Sequence, residues 1–186
     1  MLYTVSEPSE PIKPTVGIVM GSDSDLPVMR DAVEALQELD LTAEVRVLSA
    51  HRTPDETIAW AREAAGRGLR VLIAGAGGAA HLPGVVAAVT SLPVIGVPIS
   101  ATPLDGLDAL LAIAQMPSGV PVACVAVDGA RNAGLLAARI LGAGDDDLRG
   151  RIDAFRAQLA EKVREKDEKV RAEFDPSRQH PRVGFG

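Results

Sequence analysis

The hydrophobic and polar positions of this chain repeat in a strand–helix rhythm. Thr15-Val16-Gly17-Ile18-Val19-Met20 is a continuous apolar run closed by Gly21, the signature of a strand buried on both faces. Behind it, Val28, Ala32, Val33, Leu36 and Leu39 fall on one helical face, with Asp25 placed to cap the helix and Pro27 in its first turn. Ala43-Glu44-Val45-Arg46-Val47 alternates with period two, which predicts a second strand. The order Thr53-Pro54-Asp55-Glu56 is that of a capping box opening a helix from about residue 54 to 65. Val71-Leu72-Ile73-Ala74 reads as a third strand, with a helix over roughly 82–89 after it. Val94-Ile95-Gly96-Val97 is a fourth strand, stopped by Pro98. A helix over 105–114, a buried strand around Cys124 and a helix over 130–141 complete the series.

Strands that are apolar throughout and alternate with helices predict a parallel sheet covered on both faces. With right-handed crossovers this is a three-layer α/β/α sandwich of about five strands, flavodoxin-like or Rossmann-like. The rhythm breaks at 145–174, where Leu148, Ile152, Phe155, Leu159 and Val163 form a helical stripe in a densely charged segment containing a Glu165–Lys169 i,i+4 spacing. That C-terminal helix either lies back on the domain or packs on another subunit. The expected organisation is an arm over 1–14, one catalytic domain over 15–174 and a flexible tail over 175–186. His180 lies in the tail and is assigned no function.

Composition narrows the chemistry. The chain is 47% hydrophobic but only 3% aromatic, so the core must be built from Ala, Val, Leu and Ile. A net charge of −6 without a basic, aromatic-interleaved run argues against nucleic acid as a partner. A single cysteine excludes an intramolecular disulfide and a Cys-rich metal site, and Cys124 reads as a core residue. The absence of a long uninterrupted apolar stretch points to a cytoplasmic protein with no membrane segment.

Three loops leave the C-terminal ends of strands: Gly21–Asp25, Ser49–Thr53 and Gly75–His81. In a parallel sheet these meet at one edge, where ligands bind. Gly75-Ala76-Gly77-Gly78 lets backbone approach a ligand. It is not a dinucleotide fingerprint, because position 80 is Ala80 where a glycine is required, and there is no phosphate-loop lysine; neither NAD nor ATP is favoured. Ser22, Ser24, Asp25, Arg52 and a glycine loop suit a phosphorylated sugar, with hydroxyls and a guanidinium for the phosphate and a carboxylate for ribose hydroxyls. Asp25 reads equally as a plain helix cap, the glycine loop as a tight connection, and His81 as a helix-start histidine. His51 beside Arg52, with no nucleophilic cysteine and no clustered metal ligands, points to general acid–base chemistry.

Five segments carry a resemblance: Gly21-Ser22-Asp23-Ser24-Asp25, Ser49-Ala50-His51-Arg52-Thr53-Pro54, Ala74 to Gly84, Leu92 to Pro98 and Gln115 to Pro121. In this order, over about Val16 to Leu141, the chain resembles the PurE family of N5-carboxyaminoimidazole ribonucleotide mutases. The resemblance implies an isomerase of purine biosynthesis that moves a carboxyl group from the exocyclic nitrogen of an imidazole ribonucleotide to ring carbon four, without metal or cofactor. It implies His51 as the proton carrier and His81 as a second active-site histidine. Ser22, Asp25 and Arg52 become substrate-binding residues, with Ser24, Ser49, Gly75, Ala76 and Gly77 assisting. It also implies a homo-octamer, and an ATP-dependent N5-carboxyaminoimidazole ribonucleotide synthetase as functional neighbour. The 127–132 wording departs from the family's commonest form. Two alternatives stand beside this reading: a carboxylase using free carbon dioxide, whose branch usually has lysine where Arg52 stands, and a non-catalytic nucleotide-binding module.

Overall fold

The structure is a computed structural model and describes residues 14–175. The expectations for the N-terminal arm and the tail, His180 included, fall outside these residues apart from Pro14 and Asp175. Five strands, β1 (Val16–Met20), β2 (Ala43–Val47), β3 (Val71–Gly77), β4 (Val94–Ile99) and β5 (Ala123–Cys124), form one sheet in the order β2–β1–β3–β4–β5. Every pairing is parallel, with Ile18 opposite Val45 and Ile73, and Ile73 opposite Ile95. The helices are α1 (Leu26–Gln37), α2 (Pro54–Glu63), α3 (Leu82–Ala87), α4 (Leu107–Ala114), α5 (Ala130–Gly142) and α6 (Asp146–Glu173). This is the three-layer parallel sandwich that the apolar runs predict, with the flavodoxin-type strand order.

The two-residue period of the strands separates the core into halves. Val16, Ile18 and Met20 of β1, with Val71 and Ile73 of β3, face α1, α5 and the start of α6. Val19, Leu72, Ala74 and Ala76 face α2, α3 and α4, packing on Trp60, Val86 and Ile113. With few aromatics to fill space, the layers close by bringing backbones together. Helix α5 presents Ala130, Ala133, Gly134 and Ala137 to the sheet and to Ala32 and Ala35 of α1, all fully buried.

Several elements depart from their predicted bounds. β3 runs on through Gly75 and Gly77, so these belong to the sheet rather than to a loop. β4 continues through Pro98 to Ile99. Pro98 is tolerated because a strand residue's N–H and C=O face the same neighbour, here β5, whose ladder partners on β4 are only Ile95 and Gly96. β5 is two residues long, and Cys124 is half-buried at the sheet's edge rather than in the core. At the opposite edge β2 packs mainly on β1, leaving Val45 and Val47 exposed. Leu148 and Ile152 of α6 are buried and Phe155 packs against them, but Leu159 and Val163 are exposed, so only the first half of the stripe lies back on the domain. Among the described residues, the ion pairs within α6 are Arg149–Asp146, Arg156–Asp153, Arg164–Glu161 and Arg171–Asp167, Arg151 reaches outside the helix to Asp40, and the Glu165–Lys169 spacing is not used.

The closest helix approach gives a stability test. A Cβ on Gly134 would stand 2.6 Å from the Ala32 carbonyl oxygen and 3.0 Å from Ala35 Cβ. Gly134→Ala gains helix propensity of about 1 kcal/mol, yet it must push α1 and α5 apart at a typical overpacking cost of about 1–3 kcal/mol. A net loss in the chemical-denaturation midpoint is expected. A gain would mean that the two helices have room to separate.

Candidate functional site

The loop after β1 is built by two serines and a carboxylate. Ser22 has extended backbone and caps a single 3-10 turn, Asp23–Asp25, its Oγ accepting from the Ser24 N–H at 3.3 Å. The Ser22 N–H in turn donates to Asp25 Oδ2 at 3.2 Å. This reciprocal arrangement is a capping box, and it corrects the sequence reading: Asp25 stands before α1 but makes no cap bond to it. Its side chain turns back into the loop and is buried, 7% exposed. Burial pushes the Asp25 carboxyl above the ordinary carboxylate range; the Ser22 N–H, the Ser24 hydroxyl, the Gly21 backbone and the Arg52 charge oppose this without cancelling it.

The loop after β2 closes on itself. Thr53 Oγ1 accepts from the Ser49 N–H at 2.9 Å and donates to the Ser49 carbonyl, while the Arg52 N–H donates to Ser49 Oγ. The predicted Thr53–Glu56 capping box does not form, because the threonine hydroxyl is occupied by Ser49. This tight turn leaves the His51 and Arg52 side chains outside it, both exposed. Arg52 Nη2 donates to the Gly21 carbonyl at 2.9 Å, so the guanidinium ties the second loop to the first.

His51 Nε2 lies 2.8 Å from His81 Nδ1, with the rings edge to face. One proton fits between the two nitrogens, so the tautomer of one ring fixes the role of the other. His81 stands at the start of α3, where it makes no side-chain cap bond. A cavity of about 370 Å³ opens beside this pair, within the size range of small-molecule sites. Ser22, Ser24, Asp25, Ser49, His51, Arg52, Ala76 and Gly77 all line it. Gly75 and His81 do not. A Cβ on Gly75 would collide with the Met29 thioether and with Ile99, so that glycine serves packing beneath the cavity floor. His81 reaches the cavity only through His51.

Ala101, Leu82 and Ala79 are lining residues that sequence reasoning missed. The signal for Ala101 was present: the loop after β4 leaves the same sheet edge as the other three. A Cβ on Gly77 would stand 2.6 Å from Ala101 Cβ, so these two small residues keep the cavity open between β3 and β4. Among the described residues no group of three or more His, Cys, Asp or Glu side chains is disposed to hold a metal ion, and no helix is long and apolar enough to cross a membrane.

The family model for AIR carboxylase matches residues 15–162, which include every loop of the site. The chain belongs to the AIR carboxylase family. Among its relatives in this family is a protein of Mycobacterium tuberculosis named N5-carboxyaminoimidazole ribonucleotide mutase. It is 64% identical over 155 residues, covering 83% of this chain and 89% of that protein. A mutase of the same name from Pyrococcus horikoshii is 53% identical over 158 residues, covering 85% and 89%. The phosphoribosylaminoimidazole carboxylase of Schizosaccharomyces pombe is 54% identical over 91% of this chain, but the match spans only 30% of that larger protein. The solved structure of Treponema denticola PurE superposes with a TM-score of 0.77 at 28% identity, over 84% of this chain and 98% of that one.

Asp25 supplies the pH test. A carboxyl whose folded-state pKa is raised binds its proton more tightly folded than unfolded. Its favourable contribution exists below the ordinary carboxylate range and is lost as pH rises through the folded value. At neutral pH the buried charge is therefore a net cost. Asp25→Asn keeps an oxygen to accept the Ser22 N–H and removes the charge. The unliganded variant is expected to melt higher than the parent at pH 7, with the difference shrinking as pH falls towards the carboxylate range. A lower melting temperature at pH 7 would show that the charge stabilises the loop.

Proposed function

We propose that this chain is an N5-carboxyaminoimidazole ribonucleotide mutase, an isomerase in which His51 is the proton carrier. The observation that carries the reading is the His51–His81 pair at a cavity that also holds Asp25 and Arg52. It joins a two-ring proton store to groups suited to a ribose phosphate. Arg52 and the serine hydroxyls hold the phosphate, and Asp25 accepts from ribose hydroxyls. The relatives' names supply the identity of the base.

In the first step the carbamate C–N bond breaks. Carbon dioxide leaves, and the electron pair left on the exocyclic nitrogen takes a proton from His51. Ring carbon four of the resulting aminoimidazole then attacks carbon dioxide, forming the C–C bond. Neutral His51 removes the proton from that carbon, restoring the aromatic ring and its own starting state. Atoms and protons balance within the site. His81 holds His51 in the required tautomer and shares its proton, while the walls at Ala76, Gly77 and Ala101 keep carbon dioxide beside the ring. The same reading carries a homo-octamer in the cytoplasm, supplied by an ATP-dependent synthetase that makes the carbamate.

The free-carbon-dioxide carboxylase reading is weaker. The relatives of that name are larger proteins of which this chain matches under a third, so their names describe more than this domain. Arg52, where that branch usually has lysine, points the same way.

Labelled N5-carboxyaminoimidazole ribonucleotide, supplied without ATP or metal, is expected to convert with its label retained in the carbon-carboxylated product by carbon NMR. Conversion only of aminoimidazole ribonucleotide with bicarbonate would assign the carboxylase reaction instead. His51→Asn is expected to lower turnover by about 10²–10⁴-fold, the usual range for a positioned acid–base group, while ribonucleotide binding by calorimetry stays near that of the parent. Turnover close to the parent's would remove His51 from the proton-carrying role.

A further inference from the structure

The loop after β4 brings Ala101 to the cavity wall, and what holds that loop lies just past the C-terminal end of β5. On the edge facing β5, β4 presents alternate residues. The Gly96 carbonyl accepts from the Val125 N–H at 3.1 Å, and the Pro98 carbonyl accepts from the Asp128 N–H at 2.9 Å. The Ser100 N–H then donates to Asp128 Oδ1 at 3.0 Å. A regular parallel ladder would continue from residue 125 to residue 127. Here one extra residue intervenes, as in a bulge, and Asp128 continues the ladder twice, once with backbone and once with its carboxylate in place of a carbonyl.

This places Asp128 in left-handed backbone, φ 55°, a conformation that glycine adopts without penalty. The turn alone would be served better by glycine. The carboxylate is what only the aspartate supplies, and its hydrogen bond goes to the residue immediately before Ala101. Strain of this kind is kept where surrounding structure uses it.

We propose that Asp128 is a positioning residue for the site: by anchoring Ser100 it fixes Ala101 as the cavity wall facing Gly77. This rests on the mutase reading only for the choice of substrate in its test.

The test compares Asp128→Gly and Asp128→Asn in the full-length enzyme. Glycine keeps the backbone and removes the anchor; asparagine keeps both tolerance of left-handed φ and an oxygen acceptor. Asp128→Gly is expected to melt at or above the parent temperature and to speed amide exchange at Ser100. It should raise KM for N5-carboxyaminoimidazole ribonucleotide about fivefold, the size of one net hydrogen bond, with kcat within about twofold. Asp128→Asn is expected to restore exchange and KM together, a rescue that a loss through general destabilisation would not give. Unchanged Ser100 exchange in the glycine variant would overturn the anchor, and faster exchange with unchanged KM would overturn its role in the site. If the parent enzyme itself does not convert this substrate, the mutase reading falls. The anchor is then judged by calorimetric binding of aminoimidazole ribonucleotide, where weaker binding to the glycine variant supports it and equal binding overturns it.

Discussion

Everything functional in this molecule depends on one geometric constraint: in an all-parallel sheet every strand delivers its C-terminal end to the same edge. With the order β2–β1–β3–β4–β5, the first strand lies one in from the edge, and the chain runs outward to β2 and then returns across β1 to the central strand β3. The crevice beside β1 is where the direction of winding reverses. Ser22 and Asp25, Ser49 to Arg52, Gly77 and Ala101 come from four different strand ends and share one cavity. Sequence separation of up to about eighty positions is cancelled by topology, and the sheet beneath, with Ile18, Ile73 and Ile95 buried in register, supplies the rigidity.

On that frame, two of the protein's costly features hold loops of the site. Asp25 is a buried carboxylate held by a serine's own backbone. Such a charge does not help the fold at neutral pH, and its retention fits a group whose use appears when a ligand is present. The left-handed Asp128 costs backbone energy where glycine would not. Arg52 links the two loops by donating to the Gly21 carbonyl, which holds its guanidinium in place at the cavity.

The fold was legible because its inner strands β1, β3 and β4 are apolar on both faces and its helices have clear stripes, signals that survive without aromatic residues. The site loops were legible for the same reason, since each interrupts an apolar run at its C-terminal end. What was not legible turned on competition between nearby partners. Asp25 and Thr53 both stand where a helix cap belongs, and in both cases a serine took the side chain first: Ser22 through its N–H, Ser49 through its N–H and carbonyl. Local pattern cannot rank a cap against a tertiary turn. Gly75 looked like ligand-facing backbone, but the bulk of Met29 beneath it decides its identity. Pro98 looked like a strand end, and is not one because its missing donor faces the side on which β5 has already stopped pairing. The alternation of β2 marks a strand but not which face is covered: α2 lies over the polar side, where Trp60 Nε1 donates to Glu44, and Val45 and Val47 on the other side are exposed.

The histidine pair bears on how the proposed reaction handles its proton. An isomerisation that gives a proton to nitrogen and recovers one from carbon has no net proton change, so it needs a store that empties and refills in place rather than a path to solvent. Two imidazoles 2.8 Å apart with a single proton between them form such a store: when His51 releases its proton from the far nitrogen, the shared one can shift towards it, and the return step reverses the shift. The second ring need not touch the substrate to matter. On the proposed reaction, His81 therefore acts through His51, consistent with its position outside the cavity lining, and the cavity can remain small enough to hold carbon dioxide against the ring it has to rejoin.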